Sequence, residues 1–191
     1  MTDRIFPRGL VVDLTLVAAG AALTAICAQI AIPLWPVPVT GQTLAVLLVG
    51  SSLGALRGSI SMLLYAAIGI LGLPVFSGAA SGLHVILGPT GGYIIGFVFA
   101  AALTGWLSQQ KWDRKFARAI LTFCLGIAVI YAIGLPWLAA TLSLGLDATL
   151  TAGLYPFVIG EVIKFVIAAS VMTVSWGFLH REDARGNPPT P

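Results

Sequence analysis

Long apolar stretches fill most of this chain, and no other feature of the sequence limits its fold so strongly. They occupy residues 11–32, 41–56, 58–72, 93–107, 119–141 and 154–179. Hydrophobic residues make up 58% of the sequence and charged residues 9%, which is more apolar surface than one soluble core can bury. Because backbone groups inside a bilayer must find partners within the protein, such stretches form helices there. We therefore predict an all-α integral membrane protein, with about six transmembrane helices in one domain over residues 1–191.

Three of the six stretches are short for a helix that crosses a bilayer. Residues 41–56, 58–72 and 93–107 are nearer to about 15 residues than to the roughly 20 that a full span needs. We predict that some of them are short, tilted or re-entrant. One alternative joins the second and third stretches into a single re-entrant hairpin that turns at Arg57. That alternative leaves the orientation of the other spans unchanged.

The basic residues define the orientation of the chain. With the N-terminus inside, nine of them fall on the cytoplasmic side, as the positive-inside rule requires: Arg4, Arg8, Arg57, Lys111, Arg114, Lys115, Arg118, Arg181 and Arg185. Residues 1–10 are too short and polar for a cleavable signal, and residues 180–191 are predicted to be a disordered tail. With six spans, or with four if the hairpin is re-entrant, both ends are cytoplasmic. The net charge of +3 follows from this asymmetry and does not indicate nucleic acid. We expect a multi-pass protein of the plasma membrane, surrounded by lipid.

Three segments then face outward, at residues 33–40, 73–92 and 143–153. The middle segment is the longest, and its many Gly, Ser and Pro residues are typical of turns. It also carries apolar residues that favour packing against the rest of the protein. We predict a lid or a re-entrant cap for residues 73–92.

Glu161 and Lys164 form the most informative pair in the chain. They are three positions apart in the last apolar stretch, which places them on one face of a helix. Charge at membrane depth costs on the order of 3 kcal/mol or more per residue and usually marks a functional site. Together the two side chains suit a ligand that carries N–H groups and a carbonyl or carboxylate. The alternative is a structural ion pair that neutralises itself within the bundle.

Two further segments contain candidate binding residues. Gln42 follows a proline-rich entry into the second helix, where it is either a ligand contact or a polar residue solvated at the interface. The run GPTGGY comprises Gly88, Pro89, Thr90, Gly91, Gly92 and Tyr93. Its glycines let the backbone approach a ligand or a neighbouring segment, and the alternative is a tight turn with Tyr93 as an interfacial anchor. His84, in the same loop, is a weaker candidate.

The chain has small residues on its first helix and no energy-coupling motif. Ala18, Ala22 and Ala25 belong to a small-residue surface that packs either within the protein or against a partner. No phosphate-binding loop or dinucleotide fingerprint is present in the sequence. An intramembrane enzyme with Glu161 as acid or base is disfavoured, because no nucleophile, metal ligand set or cofactor motif accompanies that residue. We expect no enzyme, no metal and no cofactor.

Four ordered motifs resemble one family. They are PVPVTGQT at residues 36–43, GLPVFSG at 72–78, LGPTGGYIIGF at 87–97 and GEVIK at 160–164. The chain is similar in these motifs to the BioY family, the biotin-specific substrate-binding (S) components of energy-coupling-factor (ECF) transporters. The resemblance implies a six-helix S-component fold with both termini inside and a biotin pocket near the outer surface under loops.

The resemblance also implies roles for particular residues. Glu161 and Lys164 would contact the ureido ring of biotin, and Gln42 and the GPTGGY run would lie beside the ligand. The stripe of Ala18, Ala22 and Ala25 would dock on a transmembrane coupling subunit, which separate ATPase subunits energise. A variant has the chain act alone, for instance as a homo-oligomer. An alternative is an S component or carrier for another vitamin, proton-coupled through Glu161 in one version.

Two departures from the family pattern bear on the pocket. Glu161 stands where Asp is common, and its side chain reaches one methylene further. Residues 78–82 read GAASG, without the basic residue that some relatives carry for the biotin carboxylate. The group that holds the carboxylate in this chain is therefore not identified by the resemblance.

Overall fold

The computed structural model describes residues 9–186, with side chains described through residue 179. In order along the chain, the helices are α1 Leu10–Gln29, α2 Gln42–Leu53, α3 Ala55–Ile70, α4 Leu83–Leu87, α5 Gly91–Gln109, α6 Phe116–Leu142, α7 Leu146–Gly153 and α8 Val158–Gly186. Short 3₁₀ turns lie at Ser77–Ala79 and Trp112–Arg114. Strands β1 (Ala31–Ile32) and β2 (Val39–Thr40) form a two-residue antiparallel pair in which Ala31 faces Thr40.

The structure confirms an all-α membrane fold. Helices α1, α5, α6 and the Val158–Leu179 part of α8 are long and apolar enough to cross a membrane. The apolar helices α2 and α3 are shorter, with 12 and 16 residues, so the described part of the chain has four helices of spanning length where about six were predicted. Of the three short stretches, the fourth stretch of the chain belongs to a longer helix, because α5 has 19 residues. The helix includes glycines at its start and polar residues at its end, which the apolar pattern left out.

A tight break separates α2 from α3. Gly54 has a φ of +86°, a conformation that glycine adopts without strain, so the chain turns there and not at Arg57. Close backbone packing follows from glycines on both sides of the turn. A Cβ at Gly58 would lie 2.9 Å from the Cα of Gly50, and a Cβ at Gly105 of α5 would collide with the turn itself. The two short helices thus form a hairpin packed closely on α5.

The ends of the chain and the outer segments are more helical than predicted. The 73–92 segment contains a 3₁₀ turn and α4, and the 143–153 segment contains α7. Helix α8 continues through Gly186, so any disordered tail begins later than residue 180. Residues 181–185 include Arg, Glu and Ala, which are good helix formers and extend a helix once it has started. Residues 1–8 and 187–191 of the predicted cytoplasmic ends lie outside the described part of the chain.

Arg57 and the basic residues of the α5–α6 connection lie at one end of the bundle. Arg57 forms an ion pair with Asp13 at 2.7 Å, which ties α3 to α1 near the Gly54 turn. In the α5–α6 connection, the carboxylate of Asp113 is fully buried and accepts a 2.6 Å hydrogen bond from the indole N–H of Trp176. Burial raises the pKa of Asp113, while that hydrogen bond opposes the shift. The Arg114 guanidinium lies 4.4 Å from the centre of the Trp176 ring, so this end is firmly packed.

Candidate functional site

A cavity of about 330 Å³ lies at the end of the bundle opposite the basic residues. Its walls come from the starts of α2, α5 and α8, from the middle of α6, and from the 33–40 and 73–92 segments. The lining residues are Pro36, Val37, Pro38, Thr40, Gln42, Thr43, Phe76, Ser77, Ala80, His84, Val85, Gly88, Pro89, Thr90, Tyr93, Ile94, Phe97, Tyr131, Phe157 and Glu161. Its size lies at the lower end of the range of about 300–1,000 Å³ found for small-molecule sites.

The cavity has a charged wall built by α2 and α8. Glu161 is only 5% exposed, and its Oε1 accepts hydrogen bonds from the Thr43 hydroxyl at 3.0 Å and the Lys164 ammonium at 2.8 Å. The Lys164 ammonium also donates to the Thr43 hydroxyl at 3.0 Å. The three groups form a closed network between the two helices. Lys164 does not line the cavity, and its ammonium contacts two residues that do, Glu161 and Thr43.

The second carboxylate oxygen of Glu161 is left open. Glu161 Oε2 is buried and has no hydrogen-bond partner among the residues described. A buried acceptor without a partner costs about 1–3 kcal/mol, which a ligand N–H group would recover on binding. Because Oε1 is already held by Thr43 and Lys164, the carboxylate is fixed in place before a ligand arrives. This oxygen is the strongest indication of a binding site in the structure.

Gln42 supplies a second fixed polar group in the cavity wall. Its Oε1 accepts a hydrogen bond from the Thr40 hydroxyl at 2.8 Å, and its Nε2 donates to the Tyr65 hydroxyl at 2.6 Å. The Tyr65 hydroxyl in turn donates to the carbonyl of Val75 at 3.2 Å. The amide retains one N–H that these bonds do not use. The sequence left open whether Gln42 was solvated at the interface, and at 6% exposure it is buried in the protein.

The rest of the wall is mainly apolar and aromatic. The rings of Tyr93 and Tyr131 meet edge to face at 5.7 Å, and those of Tyr131 and Phe157 at 6.3 Å. Phe76 meets Tyr65 edge to face at 5.5 Å and fills the space above Gly69. Edge-to-face contact is a favourable arrangement of aromatic rings, so these side chains pack one another along this side of the cavity. The described residues contain no group of three or more His, Cys, Asp or Glu side chains that could hold a metal ion.

The residues of the GPTGGY run fall into two groups, those that line the cavity and those that pack against neighbouring segments. Gly88, Pro89, Thr90 and Tyr93 line the cavity, whereas Gly91 and Gly92 do not. A Cβ at Gly91 would collide with the carbonyl of Ile86, and one at Gly92 would collide with the side chain of Trp137. These two glycines therefore allow the close approach of neighbouring segments. The indole N–H of Trp137 donates to the Gly88 carbonyl at 3.0 Å, and the Tyr93 hydroxyl donates to that of Gly153 at 3.0 Å.

Gln29, at the last position of α1, fastens the cap of the cavity. Its Nε2 donates to the carbonyl of Phe76 at 3.1 Å, and its Oε1 accepts from the backbone N–H of Ala79 at 3.0 Å. Between these two points lies Ser77, and both Phe76 and Ser77 line the cavity. The lid or cap predicted for residues 73–92 is thus a segment tied to α1 by one amide side chain.

The small residues of α1 lie on two faces. Gly20 and Ala21 are buried, and a Cβ at Gly20 would lie 2.7 Å from the Ser61 hydroxyl of α3. Ala18 and Ala22 are exposed, and Ala25 is half-buried. The packing within the protein therefore uses Gly20 and Ala21, and the Ala18–Ala22 face is open among the described residues.

Several cavity residues were not identified from the sequence. Thr43 stands directly after Gln42 in the motif at residues 36–43, and Phe76 lies in the motif at 72–78, so both had a local signal. Tyr131 and Phe157 carry none, because an aromatic residue in an apolar stretch is ordinarily a packing residue. Their place in the wall depends on how α6 and the start of α8 meet α5.

Comparison with known proteins agrees with this geometry. The model of the BioY family matches residues 2–181. The probable biotin transporter BioY of Pyrococcus horikoshii is 40% identical over 159 residues, which is 83% of this chain and 93% of that protein. The biotin transporter BioY of Rhizobium etli is 36% identical over 167 residues, 82% of this chain and 89% of the relative. The crystal structure of the S-component for biotin from an ECF-type ABC transporter superposes with a TM-score of 0.75 at 29% identity, covering 85% of this chain and 89% of that one.

Proposed function

The chain belongs to the BioY family, and on that premise we propose that it binds biotin in the cavity beside Glu161 and takes it up across the plasma membrane as the S component of an ECF-type transporter. The observation that carries the proposal is the buried, unpartnered Oε2 of Glu161 in the cavity wall. The ureido ring of biotin offers N–H groups that this oxygen can accept. The remaining N–H of Gln42 suits the ureido carbonyl.

The apolar side of the cavity fits the other half of the ligand. The sulfur-containing ring and aliphatic chain of biotin find aromatic partners in Phe76, Tyr93, Tyr131 and Phe157. Contacts between sulfur and aromatic rings contribute about 0.3–1.5 kcal/mol each. One fixed polar wall and one rigid apolar wall thus give the ligand a single orientation.

An uptake assay tests the proposed function. Labelled biotin should accumulate in a biotin-requiring host that expresses the chain together with ECF coupling and ATPase subunits, and an excess of unlabelled biotin should block it. Accumulation of labelled thiamin or riboflavin instead would favour the alternative of another vitamin. A proton-coupled carrier is disfavoured, since the Glu161 carboxylate is already held in an ion pair with the Lys164 ammonium at 2.8 Å.

We infer that the open face of α1 docks on the transmembrane coupling subunit, because Ala18 and Ala22 are exposed there. Small residues let two helices approach closely in a membrane. An Ala22→Leu change should therefore weaken binding to the coupling subunit by about 1.4 kcal/mol or more, which reduces co-purification about tenfold. Biotin affinity should be unchanged. Ala132→Leu, at an exposed alanine on α6 away from the stripe, is the matched control. Full co-purification of the Ala22 variant would show that this face does not dock.

Gln29 is expected to support binding without touching the ligand. A Gln29→Ala change removes the three side-chain bonds to the cap, at Val75, Phe76 and Ala79. Because a loosened cap must be ordered again on binding, biotin affinity should fall by roughly 1–2 kcal/mol. Calorimetry measures the loss, and the Thr141→Ala variant, whose hydroxyl bonds only within α6, is a control expected to bind normally. Unchanged affinity in Gln29→Ala would show that the cap does not depend on this tie.

A further inference from the structure

The connection between α5 and α6 presents three exposed cations at the end of the bundle opposite the cavity. Lys111 precedes the 3₁₀ turn Trp112–Arg114, Lys115 stands directly before α6, and Arg118 lies in the first turn of that helix. All three residues are exposed, and none of them forms an ion pair with a carboxylate among the described side chains. The connection therefore carries positive charge that the described part of the protein does not neutralise.

The one acidic residue of this connection is withdrawn from its surface. Asp113 lies between Lys111 and Lys115 in the sequence, yet it is fully buried, and its Oδ2 accepts a hydrogen bond from the indole N–H of Trp176 at 2.6 Å. The Arg114 guanidinium also contacts Trp176, since it lies 4.4 Å from the centre of that ring. Contacts with α8 thus occupy the inner side of the connection, and the exposed side is left with the three cations.

The start of α6 adds partial positive charge at the same place. No side chain caps the helix at Lys115, and the Ala119 N–H donates to the Lys115 carbonyl at 2.9 Å. The N–H groups of residues 116–118 come before that bond and have no partner within the helix. A helix start of this kind stabilises a negatively charged group such as a phosphate.

The length of α5 places the connection at the depth of lipid headgroups. At about 1.5 Å per residue, its 19 residues extend over about 28 Å, close to the roughly 30 Å of the hydrocarbon core. Trp106, near the end of α5, is 54% exposed, and tryptophan is enriched where hydrocarbon meets headgroups. The cations that follow α5 therefore lie where the phosphate groups of the bilayer are found.

We propose that Lys111, Lys115, Arg118 and the start of α6 bind the phosphate group of an anionic phospholipid in the leaflet on this side of the membrane. An anionic lipid is preferred because the phosphate of phosphatidylcholine is already balanced by its own ammonium group. The positive-inside rule accounts for the sign of these residues, but not for the uncapped helix start beside them or for the burial of Asp113. The inference does not depend on which ligand the cavity takes.

Quenching of tryptophan fluorescence by lipids with brominated tails measures this preference, because Trp106 and Trp112 flank the connection. The purified full chain is titrated in detergent with brominated phosphatidylglycerol or brominated phosphatidylcholine. Half-saturation should need about tenfold less of the glycerol lipid, and the ratio should shrink as salt is added. Each of K111Q, K115Q and R118Q should reduce the ratio about two- to fivefold, and the three changes together should bring it close to one.

A second triple variant, with K111R, K115R and R118K, keeps the charges and should keep the ratio. Melting temperatures show that both triple variants are folded, and the single variants decide the matter if the neutral triple variant is not. Equal half-saturation by the two lipids in the natural protein, or an unchanged ratio in the neutral variants, would overturn the inference. Loss of the preference in inorganic phosphate at constant ionic strength would show that the site takes free phosphate and not a lipid.

Discussion

Glu161→Ala is expected to weaken biotin binding by about 2–5 kcal/mol, or roughly 30-fold to several thousandfold. The change removes the acceptor at Oε2 and leaves the Lys164 ammonium, whose side chain is only 14% exposed, without its counter-charge. Lys164→Ala should cost affinity over the same range, although Lys164 does not line the cavity. Without Lys164, the Glu161 carboxylate loses one of its two fixed partners and its charge is uncompensated.

Calorimetry on both variants measures this effect, and thermal unfolding without ligand separates it from a loss of stability. Ser170→Ala, on the same helix, is the matched control, because that hydroxyl is exposed and bonds only to the Val166 carbonyl. A double-mutant cycle with Glu161 and Lys164 should show that the two losses are not additive, since each residue acts through the other. Biotin affinity that is unchanged in both single variants would leave the pair as a structural ion pair only.

Gly91→Ala is expected to give the second large effect. An added Cβ would collide with the Ile86 carbonyl, which is backbone and cannot rotate away. The start of α5 and the end of α4 must then separate, at a cost of about 1–3 kcal/mol in folding free energy. Since His84 and Tyr93 lie on those two helices, biotin affinity should fall as well.

The melting temperature of the purified protein and its biotin affinity measure these two consequences. Gly145→Ala is the matched control, because nothing lies within 4 Å of the added Cβ and the residue has a φ of −71°. A Gly91→Ala protein with normal stability and normal affinity would show that the packing between Gly91 and Ile86 is not needed for the cavity.

The helices and the charge pattern could be predicted from the sequence because both depend on local composition. Apolar stretches indicate where the helices lie, and the three-residue spacing of Glu161 and Lys164 predicts that they share a helix face. Helix ends were predicted less well, since Gly91 at the start of α5 and residues 180–186 at the end of α8 are not apolar. The position of the turn between α2 and α3 could not be predicted, because several nearby glycines can adopt the positive φ that Gly54 has, at +86°.

The composition of the cavity could be predicted only in part, because it depends on contacts between distant residues. Thr43 meets Glu161 across 118 positions, and Gln29 meets Ala79 across 50. No local pattern in one sequence pairs such residues. The same limit applies to the glycines of the GPTGGY run. A glycine in the sequence indicates that another segment approaches closely, but it does not identify that segment, which for Gly92 contains Trp137.

Equilibrium binding of biotin, thiamin and riboflavin to the purified protein, with Glu161→Ala measured alongside, tests the central claim most directly. The account predicts that biotin alone binds tightly, at one site per chain, and that the variant loses most of this affinity while remaining folded. Absence of biotin binding by folded natural protein, or equal binding of the other vitamins, would contradict it.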